Sequence, residues 1–164
     1  MFLEARTANC CGSTFVLKAD GHAVGKFETR VFSEGLDIAL IGRRQLRLEK
    51  VGWLSSQFIL KRDGDVAPMA RADRSGIFTS SWDLELQCGL VKLVHAGWFQ
   101  TGYLIQQDEQ ELGRVDRLGM CEQGWQVDAD MLTLEEMILV GLIYHIILRR
   151  QSQHAAAAGG HAGT

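Results

Sequence analysis

The stretch LTLEEMILVGLIYHIILRRQSQ, residues 132–153, decides how the rest of the chain is read. From Met137 to Leu148 no residue carries a formal charge when His145 is neutral, and nearly all are apolar. A helix that is apolar on every side has to be surrounded, either by lipid or by protein. Crossing a bilayer takes about 20 apolar residues, whereas runs of about 10–14 more often mark a buried core helix. Here the run is short, and Glu135 and Glu136 stand directly before it. Thr133 is placed to cap the helix, with Glu136 closing a capping box. The acidic pair suits the positive end of the helix dipole, and Arg149 and Arg150 suit the negative end. The pattern predicts a helix over residues 133–150, enclosed by protein. Tyr144 and His145 are its polar handles, with His145 expected to bond to whatever surrounds it.

What surrounds it is legible as a repeat. STFVLKADGHAVGKFE (13–28), SQFILKRDGDVAPMAR (56–71) and TGYLIQQDEQELGRVD (101–116) match one another. Each is an aromatic-led apolar run, a polar pair, a tight turn and a second strand. The turns fall at Asp20-Gly21, Asp63-Gly64 and Asp108-Glu109. Asp-Gly suits a hairpin because both central residues of a type I′ turn need positive φ. With Glu109 in place of glycine, the third copy is expected to make a longer or different turn.

The match extends outward, since KVGWLSSQFIL (50–60) aligns with HAGWFQTGYLI (95–105). After each hairpin comes an alternating strand. In WDLELQC (82–88), Trp82, Leu84, Leu86 and Cys88 are expected on one face, with Asp83, Glu85 and Gln87 on the other. Strands are predicted near 2–7, 14–19, 23–28, 36–42, 45–51, 57–62, 65–71, 82–88, 90–96, 99–107, 110–116 and 125–130. Twelve antiparallel strands with half-apolar faces need an apolar centre, and closure removes exposed edges. The predicted fold is mainly β: a closed twelve-stranded antiparallel barrel wrapped around a buried C-terminal hydrophobic α-helix. One domain covers residues 1–150, and the unpatterned tail, 151–164, is expected to be disordered.

With 164 residues, the chain is long enough to bury one substantial core. With a net charge of −3, no global basic field favours nucleic acid or an anionic membrane, and no nucleic-acid partner is expected. The four cysteines form no CxxC pair and no zinc-ligand spacing with histidine. The beginning, MFLEARTANCCG, is not the apolar run of a signal peptide. The expected setting is cytoplasmic, peripheral to a membrane at most, with free thiols and no metal or cofactor.

Twelve strands in four-strand repeats, Asp-Gly hairpins and the run DADMLTLEEMILVGLIYHIIL resemble the tubby C-terminal-like fold. Within it the chain is most similar to the phospholipid-scramblase-like and LURP-one-related branch. The resemblance covers about residues 1–150 and implies a terminal helix that threads the barrel. It also implies association with membrane lipid, because tubby proteins bind phosphoinositide headgroups.

Candidate sites follow from residue chemistry. Arg43, Arg44 and Arg47, with Lys50, Lys61 and Arg62 on neighbouring strands, form a candidate anionic-lipid site, since arginine forks match phosphate. The bland alternative is a solvated surface balanced by Glu49 and Asp63. Trp53, Trp82, Trp98 and Trp125 recur at repeat-related positions and read as capping or filling the barrel core. As the sharper alternative, Trp53-Leu54 and Trp98-Phe99, which follow glycines in matching connections, are candidate membrane-facing loops. Cys10-Cys11 is a faint lipidation candidate beside a packing role. Cys88, His95 and Cys121 are the only material for a nucleophile and base, without a supporting motif. The expected function is a non-enzymatic module binding anionic phospholipid headgroups or a protein partner. The alternatives are a tail-anchored membrane protein using helix 133–150 and a small enzyme.

Overall fold

The computed structural model describes residues 1–8, 13–30, 33–42, 44–52, 56–76, 81–97, 101–119 and 123–159. In chain order the strands are β1 (Phe2–Thr7), β2 (Thr14–Ala19), β3 (His22–Glu28), β4 (Leu36–Leu40), β5 (Gln45–Val51) and β6 (Gln57–Arg62). They continue as β7 (Ala70–Arg74), β8 (Trp82–Leu86), β9 (Gly89–His95), β10 (Tyr103–Gln107), β11 (Gln110–Arg117) and β12 (Gly124–Ala129), followed by helix α1 (Leu134–Gly159). Each strand pairs antiparallel with its sequence neighbour, and β1 closes on β12 through the register Leu3↔Val127. The expected closed barrel with a terminal helix packed against its strands is what forms.

Because the strands alternate in direction, the connections sort onto two ends. The connections after β2, β4, β6, β8 and β10, most of them short, share one end with the β12–α1 link; we call it the turn end. Connections after β1, β3, β5, β7, β9 and β11 share the other, the loop end. The helix therefore enters at the turn end and leaves at the loop end.

Alternating burial follows from the strand period of two. In β4, Leu36, Ile38 and Leu40 are buried while Asp37 and Ala39 are exposed. Every residue from Glu136 to Ile147 is buried, so the helix is the barrel's centre on all its faces. Its one gap, Gly141, is filled by the indole of Trp125: a Cβ there would fall 2.1 Å from the ring carbons.

Several strand details differ from expectation. β7 begins at Ala70 rather than near 65, because Pro68 has no amide to donate to a ladder. Gln87 and Cys88 form the β8–β9 turn, which leaves Cys88 exposed instead of inward beside Leu86. Asp108 and Glu109 still make a two-residue hairpin turn, both with positive φ (48° and 67°). The register of β10 and β11 thus holds a non-glycine in a left-handed conformation, which costs roughly 1–3 kcal/mol. The helix also runs beyond 150 to Gly159, with Gln151 to Ala157 exposed. Its alanines have the highest helix propensity, and the glycines that follow do not.

Candidate functional site

Where the helix leaves the barrel, its two arginines meet the β3–β4 connection. Arg150 makes a two-pronged contact with Glu34, at 2.7 and 3.0 Å, and its guanidinium lies over the rings of Phe58 and Trp82. Lys50 approaches the same carboxylate at 2.8 Å. The hydrogen bonds from Arg150, supported by Lys50, hold the Glu34 carboxyl down at about 2, so it stays ionised. Arg149 donates to the carbonyls of Ser33 and Arg30. These contacts border a cleft of about 1110 Å³, lined also by Arg30, Asp37, Arg47 and Glu49.

On the other side of the helix a crevice of about 530 Å³ opens between α1 and the ends of β2, β11 and β12. Phe15, Arg117, His145, Leu148 and Arg149 are among its walls. The His145 ring stands edge-on to the stacked pair Phe15 and Phe27, with centroids at 4.9 and 5.6 Å. Its Nε2 is enclosed without a hydrogen-bond partner, as is Nε1 of the nearby Trp125. Burial, reinforced by the charge of Arg149, lowers His145 to about 4, so the ring is neutral at physiological pH. The expected bond from the helix to the barrel wall is made instead by Tyr144, whose hydroxyl donates to the Thr101 carbonyl at 2.9 Å. Burial raises that phenol to about 12.

At the turn end, Glu136 does more than close the helix cap. One carboxylate oxygen accepts from the amide and hydroxyl of Thr133, at 2.8 and 2.9 Å. The other accepts from the backbone amides of Gln87 and Cys88, at 2.8 and 3.4 Å. The capping box is therefore also a clasp between the helix and the β8–β9 turn. The Cys88 thiol is raised, first by burial and then by the Glu136 charge, and so is a weaker nucleophile.

The candidate lipid-binding cations are spread along β5 and β6. Arg47 and Lys61 are cross-strand partners; Arg47 meets Asp37 at 2.8 Å and Lys61 meets Glu49 at 3.0 Å. Arg44 lies at the turn end, 3.9 Å from Glu135, and Arg62 ends β6 at that same end. Lys50 and Arg47 reach the cleft at the loop end. Arg43, Trp53, Leu54, Trp98, Phe99, Cys10, Cys11 and Cys121 lie outside the described residues. β5 runs from beside Arg44 at the turn end to Val51 at the loop end. At about 3.3 Å per residue its length is roughly 20 Å. β9 likewise places Cys88 and His95 at its opposite ends, too far apart for a nucleophile and its base.

Among the described residues no group of histidine, cysteine, aspartate or glutamate is arranged to hold a metal ion. No helix among them is long and apolar enough to cross a membrane. Neither the cleft nor the crevice was legible beforehand, because both depend on where α1 exits relative to the strand ends. A search of family models finds no match for this chain, nor do searches of the curated proteins and of the solved structures.

Proposed function

We propose that this barrel is a non-enzymatic module of the scramblase-like and LURP-one-related kind, associating with anionic phospholipid headgroups through its loop end. The observation that carries the reading is the segregation of charge between the two ends. Exposed Asp20, Asp63, Asp65, Asp108, Glu109 and Asp130 mark the turn end, against Arg44 and Arg62. Arg30, Lys50, Arg74, Arg117, Arg149 and Arg150 mark the loop end. Of the acidic residues there, Glu34 is held by Lys50 and Arg150 and Asp116 by Arg114, while Glu28 at the end of β3 is exposed. An anionic surface attracts each nearby lysine or arginine by about 1 kcal/mol, so it orients the barrel with the loop end toward it.

Vesicle flotation tests this. Vesicles of phosphatidylcholine with phosphatidylserine are expected to carry the protein upward, and pure phosphatidylcholine vesicles are not. The exposed pair Arg30→Ala/Arg47→Ala is expected to lose most of that binding, while Arg44→Ala at the turn end retains it. Failure of the unaltered protein to float with phosphatidylserine, or full binding by the double variant, overturns the reading.

A second reading, a protein partner, is favoured by one observation. Ile41, Val66, Leu90 and Met131 are the most exposed large apolar side chains among the described residues, and all lie at the turn end, Leu90 near the start of β9 and the others on its connections. Such a concentration of apolar tips on one end suits a contact surface.

A further inference from the structure

The crevice beside His145 differs from the larger cleft in what it lacks. The cleft's cations face Glu34, Asp37 and Glu49, whereas no carboxylate lines the crevice among the described residues. Two guanidinium groups border it. Arg149 is engaged with the Ser33 and Arg30 carbonyls. Arg117, at the end of β11, is exposed and makes no ion pair among the described residues. The crevice continues past these charges to Phe15 and Leu148, with the imidazole of His145 alongside. His145 is only 7% exposed and its Nε2 is unpartnered. A buried polar nitrogen without a partner costs stability, and a ligand that supplies one recovers it.

We propose that this crevice binds a small organic carboxylate bearing an apolar group. The carboxylate pairs with the fork of Arg117, two oxygens against two N–H groups. Its apolar body lies against Phe15 and Leu148, and the imidazole borders it. One disengaged guanidinium suits a singly charged carboxylate better than a phosphate dianion, which calls for more donors. At about 530 Å³ the space falls within the range of small-molecule sites. The site goes beyond lipid association: Arg117 and Arg149 also stand among the loop-end cations, but the crevice is tested with a soluble probe and no vesicles.

Benzoate is a suitable probe, with benzamide as its neutral counterpart and inorganic phosphate as charge without an apolar body. Adding benzoate to the full chain is expected to shift the His145 ring and Trp125 indole N–H resonances saturably. Benzamide and phosphate are expected to leave both in place. An anion beside His145 also favours the protonated ring, so bound benzoate raises the pH at which His145 titrates. Among the described residues Arg117 and Arg149 are the charged groups that border the crevice with the ring, and both oppose this rise. Arg117→Gln is expected to weaken benzoate about tenfold or more, the loss for one charge-assisted pair; its melting temperature serves as the check that the variant is folded. The proposal is overturned by no saturable shift, by equal shifts with benzamide or phosphate, or by unchanged affinity in folded Arg117→Gln. Flotation is read on Arg30→Ala/Arg47→Ala and benzoate binding on Arg117→Gln without vesicles, so the two readings fail separately.

Discussion

Replacing Gly141 with alanine is expected to destabilise the barrel by about 2 kcal/mol, although alanine is the better helix former. In an exposed helix the change gains about 1 kcal/mol from propensity alone. Here the new methyl falls 2.1 Å from Trp125, whose ring is fully buried and has nowhere to retreat. Overpacking a close-packed core costs about 1–3 kcal/mol and sometimes more, and this contact is at the severe end. For a chain of this size the net loss corresponds to a melting temperature lower by roughly 4–8 °C. Trp125→Leu removes the obstruction, so Gly141→Ala is expected to cost much less in that background. A double-mutant cycle read by urea denaturation checks both the sign and the coupling. A neutral or stabilising Gly141→Ala excludes the described seating of the indole on the helix.

Glu136→Ala is expected to cost more, about 3 kcal/mol. The side chain is buried and ionisable, and accepts from Thr133, Gln87 and Cys88 at once. Hydrogen bonds to a charged group contribute about 1.5–3 kcal/mol each and do not add fully. Removal also leaves the Gln87 and Thr133 amides without their acceptor. Glu136→Gln keeps one carbonyl acceptor but turns an N–H₂ group toward a donor, so an intermediate loss is expected. Thr133→Ala removes the cap alone and is expected to cost only about 1 kcal/mol. If all three variants lose the same amount in chemical denaturation, the contact from Glu136 to the β8–β9 turn contributes nothing.

These two residues mark where the sequence was readable. The capping box at Thr133 and Glu136 is a local pattern, so half of Glu136's role was visible from spacing alone. Its other half, the grip on Gln87 and Cys88, depends on how deep the helix sits and has no local signature. Gly141 was visible as a gap in an apolar run, and Trp125 as a core tryptophan, but nothing in the spacing joined them. The strand count and closure were legible because period-two alternation and repeated Asp-Gly turns are short-range signals. The turn at Asp108-Glu109 was misjudged because pairing of β10 with β11 overrides the local preference for glycine. The lipid-site cations share neighbouring strands, as sequence order implied, yet strand direction sends Arg44 and Arg62 to the end opposite Lys50. Burial of His145 was foreseeable from its apolar neighbours; its lack of a partner at Nε2 was not, because the neighbouring Tyr144 makes the bond to the Thr101 carbonyl instead.

The central claim is that the apolar helix is the core of the barrel. Hydrogen–deuterium exchange resolved along the full chain tests it most directly. Amides from Ile138 to Ile147 are expected to exchange only through global unfolding, with the same free energy and denaturant dependence as the central residues of β1 and β12. Exchange of those helical amides by a lower-energy opening, while the strands remain protected, contradicts a barrel built around its helix.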